Sequence, residues 1–389
     1  MQFGFRPRII LAAVIWASAV LSIGLTRPAP PAVGTLSAAA YFDKVYGAWK
    51  ATLIANHSGL DLQGRYLEEP GPPGSFALLL LDQWSTDDDT HIEWVDLHIL
   101  ETHGLDPSAE QIRDEWVDHL NHDIWVSTRR ARDLMDEGLV PPDTGSADNN
   151  PEGAWSIGAQ FQTELFGMLT PGMPDIAAAY AERFARITSS GPAVGASVFY
   201  ATLYSQAFFE NDVRKLVIDA LQRVETGATV LPGETSIVEN VLRWHWESPQ
   251  DWRATRQKIR DTYDTDPMWW AARVNFAVTI MALLYGDGDL LKTVEIAALA
   301  GWDADNNMAT AAGLLGLVHG FSALPAVVRG STDLYFNEDV TGDLPRYETV
   351  REIASRTQRL AARMIRRAGG TTTGNLYHIP LPRADGGGR

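Results

Sequence analysis

The stretch Trp84-Ser-Thr-Asp87-Asp88-Asp89-Thr90-His-Ile-Glu93 has a counterpart far downstream, Gly301-Trp-Asp303-Ala-Asp305-Asn306-Asn307. Three consecutive carboxylates repel one another, so packing them tightly calls for a compensating cation, and an oxygen-rich cluster suits a hard ion such as Mg²⁺ or Ca²⁺. Each motif stands at the start of a helical pattern. The first precedes Ile92, Val95 and Leu97; the second precedes Met308-Ala-Thr-Ala-Ala-Gly-Leu-Leu-Gly-Leu-Val, whose small residues allow close packing in an interior. Backbone N–H groups and the helix dipole favour negative charge at such a position, so Asp87 to Asp89, and likewise Asp305 or Asn306, also fit a capping role on a solvated turn. Two acidic clusters that each open a buried-looking helix are what a binuclear hard-metal site needs, because side chains at helix starts converge in a pocket without being stranded in the core. On residues alone both readings stand.

Outward from these motifs the pattern is helical almost throughout. Val45, Trp49, Leu53 and Ile54 share one stripe, and Ile92, Val95, Leu97, Leu100 and then Ile112, Trp116, Leu120 repeat the three-and-four spacing. Further helices are predicted over 126–137, 158–169, 174–187, 194–210, 212–224, 235–247, 250–262, 269–285, 288–300, 307–321 and 346–366, punctuated by Pro-Gly, Asp-Gly and Asn-rich breaks. Alternating strand patterns are scarce, and no internal repeat or second zone of composition appears. The expectation is one all-α domain over 39–367, preceded by a Pro/Ala/Gly-rich linker at 27–38 and followed by a tail, 368–389, too poor in apolar residues to fold.

With 389 residues, 45% of them hydrophobic, the chain is long enough to bury a large core. Its net charge of −17 argues against nucleic-acid partners, which require clustered Lys and Arg, and fits affinity for divalent cations. Cysteine is absent, which excludes disulfides, cysteine nucleophiles and thiolate zinc sites. A basic segment at residues 3–8 and an apolar run from Ile9 to Leu25 read as a signal peptide within 1–26, or as a retained membrane tether, since the run is near the ~17 residues that just span a bilayer. Export follows in either case, to the periplasm, the medium or a membrane surface.

The residues also carry a family resemblance. Asp43-Lys-Val-Tyr-Gly47-Ala-Trp, the Asp-Asp-Asp-Thr of residues 87–90, Ser156-Ile-Gly158-Ala-Gln160 with Leu165-Phe-Gly167-Met-Leu-Thr-Pro171-Gly172, and residues 301–310 occur in the order seen in the ADP-ribosylglycohydrolase family, which includes the dinitrogenase-reductase-activating glycohydrolase and the ADP-ribosyl-acceptor hydrolases. Leu139-Val-Pro-Pro142 followed by Asn149-Asn150-Pro151 is similar to the branch carrying Asp-Asp-Asp-Thr in the first motif.

The resemblance implies a single orthogonal multi-helical domain with a central cleft binding two Mg²⁺ ions, or one, against the ribose of ADP-ribose. The family's ligand positions fall on Asp87, Asp88 and Asp89 and on Asp303, Asp305 and Asn306, with Asp87 and Asn306 standing where the family has Thr. A Glu used by the serine-specific members aligns with Gln63, which has no carboxylate to act as a base; Asp61 is an alternative, as is orientation of the attacking water by Asp88 or Asp305. A family His is replaced by Thr188-Ser189-Ser190-Gly191, leaving Ser189, Ser190 and Gly191 as candidates for hydrogen bonds to phosphate or ribose.

Weaker candidates surround these. His57 and His91 are near the motifs but fit structural roles as well; Trp244, Trp246, Trp252, Trp269 and Trp270 suit a sugar groove or the core; Glu93 suits a water-holding position or solvent. Three functions are consistent with this reading: an exported Mg²⁺-dependent hydrolase releasing ADP-ribose from a protein or small-molecule acceptor, a hydrolase of another furanosyl or N-linked glycoside on the same scaffold, and a non-catalytic ADP-ribose-binding or immunity protein.

Overall fold

The computed structural model describes residues 1, 32–226 and 234–382, and one compact unit begins at Ala32. The expected signal or anchor within 1–26, apart from Met1, and the first part of the linker lie outside the described residues. No helix among the described residues is long and apolar enough to cross a membrane.

The described residues form fifteen helices in chain order: α1 Ala38–Gly59, α2 Asp88–His103, α3 Ala109–His119, α4 Val126–Asp136, α5 Glu164–Leu169, α6 Pro174–Ala185, α7 Pro192–Gln206, α8 Val213–Thr226, α9 Glu234–Glu247, α10 Trp252–Tyr263, α11 Ala272–Gly286, α12 Leu290–Ala300, α13 Ala304–His319, α14 Ala326–Arg329 and α15 Val350–Arg367. The all-α expectation holds. Helices apolar on every side sit innermost: α7, α11 and α13 are buried along almost their whole length. Amphipathic α15 covers the outside, burying Val350, Ile353, Ala354, Thr357, Leu360, Ala361 and Met364 at three-and-four spacing.

The central packing is between α1 and α13, which run antiparallel. A β-carbon on Gly47 would fall 2.7 Å from the carbonyl oxygen of Gly316, and one on Gly316 would fall 2.4 Å from that of Gly47. Only glycine on both sides lets the backbones approach this closely. Lys44 fixes the far end, donating from Nζ to the Leu317 and Val318 carbonyls at 2.9 Å, where the last carbonyls of a helix lack partners. The opposite ends, Asn56 to Gly59 on α1 and residues 303–306 on α13, are thereby brought together.

Two short sheets among the described residues depart from expectation. Strands β1 (Val33–Ser37), β5 (Thr371–Thr373) and β6 (Leu376–Pro380) form an antiparallel sheet in the order β1-β6-β5. The predicted linker and unfolded tail are corrected over these residues. Gly34 and Leu36, and Tyr377 and Ile379, alternate inward with period two and bury against the helices, a pattern too short to be seen until the two chain segments pair. The second sheet, β2 (Trp84–Ser85), β3 (Leu334–Phe336) and β4 (Tyr347–Thr349), leads into the first acidic motif. Trp84 is wholly buried and donates its indole N–H to the Thr332 carbonyl at 3.0 Å, anchoring the strand that aims residues 87–89.

Candidate active site

Asp87 caps α2, its carboxylate accepting from the Asp89 amide at 3.2 Å. Capping by Asp87 therefore does not exclude the ligand reading, since the same turn places Asp88 and Asp89 on the lining of a cleft. Before Asp303, Gly301 and Trp302 both adopt positive φ, 95° and 59°. A side chain at 301 would strike the Tyr66 carbonyl, and the strained Trp302 is held by the Arg256 guanidinium 4.5 Å over its ring. This turn delivers Asp303 and Asp305 to the same cleft.

The cleft encloses about 270 Å³, and Asp88, Asp89, Asp303 and Asp305 all line it. One oxygen each of Asp87, Asp89 and Asp305 lies within 4.8 Å of the others. No Lys or Arg stands among the lining residues described. Withdrawal from water, reinforced by the neighbouring carboxylates, pushes Asp88, Asp89, Asp303 and Asp305 well above the ordinary carboxylate range. Asp87 is raised by burial too, though Asn56 counteracts it.

Neutral amides hold the cluster. Asn56 at the end of α1 donates to Asp87 Oδ1 at 2.8 Å and Asp89 Oδ2 at 3.2 Å, and Asn306 donates to Asp89 Oδ1 at 3.0 Å. Gln63 donates to Asp305 Oδ2 at 2.6 Å. The remaining oxygens, Asn56 Oδ1, Asp305 Oδ1 and Asn306 Oδ1, are buried with no hydrogen-bond partner among the described residues. Buried carboxylates with spare oxygen lone pairs and no cationic side chain form a donor set that fits a hard divalent cation.

The aromatic wall comes from Trp125, Phe161, Trp269 and Trp270, with Trp269 and Trp270 edge-to-face at 4.9 Å, and hydroxyls of Ser127, Thr128 and Ser156 line the same space. An anionic floor beneath aromatic and hydroxyl walls suits a sugar carrying a flat group.

The ADP-ribosylglycohydrolase family model matches residues 37–368. This chain belongs to the ADP-ribosylglycohydrolase family. A solved structure described as an ADP-ribosylglycohydrolase-related protein complex is similar in fold, with a TM-score of 0.56 and 20% identity over 84% of this chain and 99% of the other. No curated protein sequence matches significantly.

Within this family member, the other sequence-derived candidates separate clearly. Gln63 lines the cleft, but Asp61 is exposed on the short 3-10 helix Leu60–Leu62 and is not among the lining residues. Ser189, Ser190 and Gly191 are not among them either. Their segment is braced against the 3-10 helix Pro151–Ala154, with the Ser190 amide donating to the Gly153 carbonyl at 2.8 Å. His57 is structural: Nδ1 faces the Leu53 carbonyl at 3.0 Å, leaving Nε2 to accept from the Ser85 amide at 3.2 Å. His91 is wholly buried, and burial lowers its pKa to about 3, so it is neutral. Glu93 takes neither suggested role; buried, it accepts from the Leu165 amide at the start of α5. Of the five tryptophans singled out, Trp269 and Trp270 line the cleft, Trp244 is buried, Trp252 is half-buried against the core and Trp246 is exposed.

Several contributors are not marked in the sequence, among them Ser127, Thr128 and Phe161 of the cleft wall. Asn56 ends an otherwise apolar helix face. Asn275, whose Oδ1 accepts from the Asp303 amide at 2.9 Å and from Asn307 at 2.8 Å, interrupts the apolar run of α11, as Thr279 does one turn later to reach Asn307 at 3.0 Å. A lone amide inside a fully apolar helix was the available signal, because burying it requires partners. Trp125 carried no such signal in its irregular segment.

Proposed function

We propose that this chain is an exported, Mg²⁺-dependent glycoside hydrolase that releases ADP-ribose from a protein or small-molecule acceptor. The observation carrying this reading is the meeting of Asp88, Asp89, Asp303 and Asp305 in one cleft that has no basic side chain on its described lining. Asp87, Asp89 and Asp305, with Asp88, Asp303 and the free Asn306 oxygen, are the groups that would hold Mg²⁺. Bound there, the ion would supply positive charge to fix the ribose hydroxyls and ease ionisation of water.

The chain's own residues account for the rest. Cleavage of a ribosyl bond passes through an oxocarbenium-like state, and the carboxylates offset the positive charge that develops on the ring. Gln63 cannot take a proton, and its amide is spent on Asp305, so it is a positioning residue. The water-directed role falls to Asp88 or Asp305, which line the cleft. Trp125, Trp269 and Trp270 supply faces for the base or acceptor, and Ser127, Thr128 and Ser156 supply hydroxyls.

A second reading, hydrolysis of another furanosyl or N-linked glycoside, is favoured by the amide at Gln63 in place of a carboxylate. The deciding assay measures ADP-ribose released from arginine- and serine-modified peptides, alongside a furanoside panel, with Mg²⁺ or chelator. Mg²⁺-dependent release lost in Asp305→Asn is the expected result. Furanoside turnover alone supports the second reading, and binding without turnover of any substrate overturns both. The N-terminal pattern supports export, which cell fractionation of the full-length chain tests.

A further inference from the structure

Helices α2 and α3 bring together a second group of ligand-type side chains, with His98 ten residues beyond Asp88, or about 15 Å along the α2 axis. One atom each from His98, Glu115 and His119 lies within 4.8 Å of the others. Glu115 Oε2 is 3.1 Å from His119 Nε2 and 3.3 Å from His98 Nε2, while Oε1 is 2.6 Å from His103 Nε2. Asp343 brings a fourth donor, 3.8 Å from His119 Nε2 and 4.0 Å from His98 Nε2.

The tautomer of His119 gives this cluster its meaning. Nδ1 lies 2.8 Å from the Thr341 carbonyl oxygen, which can only accept, so Nδ1 carries the hydrogen. In the neutral ring Nε2 is then a bare lone pair facing a carboxylate oxygen at 3.1 Å, an arrangement that is repulsive unless a cation sits between them. A proton bridges one such pair. Here the second imidazole nitrogen approaches the same oxygen, and the two rings stand edge-to-face at 5.0 Å, which is convergence on a point rather than a single bridge. A backbone carbonyl on the outer nitrogen is the usual partner that orients a metal-ligating imidazole.

We propose that His98, Glu115 and His119, with Asp343 as the fourth donor, form a structural zinc site separate from the acidic cleft. Imidazole with carboxylate suits Zn²⁺, whereas the all-oxygen cleft suits Mg²⁺. Three donors come from paired helices; Asp343 is 85% exposed on the segment before β4 and free to close the shell. His103 holds the other oxygen of Glu115 and orients it. The segment carrying Asp343 is already tied to α3 by the Thr341 amide on the His119 carbonyl at 3.0 Å. It also reaches the first acidic motif, since Asp339 accepts from the Thr86 hydroxyl at 2.6 Å, one residue before Asp87. Zinc would therefore staple α2, α3 and this segment in a chain that has no cysteine for disulfides.

The test strips the full-length protein with chelator, reloads it with Zn²⁺, and measures retained metal and melting temperature. One retained equivalent is expected in wild type and in Asp89→Asn/Asp305→Asn, with at least tenfold weaker binding in His98→Gln and His119→Gln and no zinc-dependent rise in melting temperature. Helical circular dichroism checks that the variants fold. Cobalt substitution in unmodified protein adds a readout independent of any variant: visible bands of a tetrahedral nitrogen-and-oxygen site are expected. Absence of those bands, zinc that follows Asp89 and Asp305 rather than the histidines, or full retention in folded His98→Gln overturns the proposal.

Discussion

Gly59, at the end of α1, lies against Asp305 so closely that a β-carbon there would come within 2.3 Å of the Asp305 Cα and 2.8 Å of its amide nitrogen. This contact, not a hydrogen bond, sets the separation between the helix bearing Asn56 and the helix bearing Asp305. In Gly59→Ala the helix ends must part, and overpacking of this kind costs about 1–3 kcal/mol. Urea unfolding checks that cost. Because the shift acts at Asp305, Mg²⁺ affinity should fall as well, read by calorimetric titration of the folded variant.

Asp305→Asn should separate stability from cation binding. Without a divalent ion, the variant removes one of several mutually repelling buried carboxylates, so it should be at least as stable as wild type in chelator. With Mg²⁺ at a hundred times its Kd, wild type gains about 2.7 kcal/mol and the variant on the order of 1 kcal/mol or less. The order of melting temperatures should therefore reverse between the two conditions. Equal response to Mg²⁺ in both proteins would remove Asp305 from the ligand set.

Glu164 gives a pH signature inside the core. Its carboxylate accepts from the Thr310 hydroxyl on α13 at 2.6 Å and from the Thr163 amide at 3.2 Å, and burial pushes its pKa up to about 7. A carboxyl raised in the folded state binds more protons there than in the unfolded chain, so its contribution to stability falls as pH rises from about 4.5 through 7 and stays at its lowest above that. Glu164→Gln keeps a neutral group of the same shape. Relative to wild type it should gain nothing below about pH 4.5 and gain up to on the order of 3 kcal/mol above pH 7. Denaturant unfolding of both proteins across this range makes the comparison, and a difference independent of pH would refute it.

The acidic motifs were legible as a pair of carboxylate clusters, although a helix cap reads the same in sequence, and the helices because apolar spacing survives in a single segment. What needed the fold was anything made by two distant segments. Leu36 and Tyr377 each belong to strands of five residues whose alternation has meaning only once β1 and β6 pair. The helix expected over 158–169 begins only at Glu164, because the earlier residues turn so that the Ala159 carbonyl can accept from the Ser197 hydroxyl at 2.7 Å. Glu93 lies on the interior side of α2 because its partner is the free amide of Leu165, seventy-two positions away. Asp61 and Gln63 are two residues apart, yet one faces solvent and the other the cleft, a difference decided by the pinning of the following loop, where Gly64 donates to the Trp302 carbonyl at 3.0 Å.

Trp125 offers the cleanest separation of binding from folding. It lines the cleft while 63% exposed, so little apolar area is lost to water when it is truncated. It is positioned by strain: Asp123 and Val126 on either side adopt positive φ, 48° and 46°, and a branched residue in that region is held there by its surroundings. Stacking of a nucleobase on an aromatic face is worth about 1–3 kcal/mol per base. Trp125→Ala should therefore weaken ADP-ribose binding by roughly 5- to 150-fold, with a change in unfolding free energy within about 0.5 kcal/mol. Calorimetry with ADP-ribose and with ribose 5-phosphate, which lacks the base, identifies the source of the loss. If both ligands weaken equally, Trp125 acts on the sugar end or on the cleft as a whole, and the stacking assignment fails.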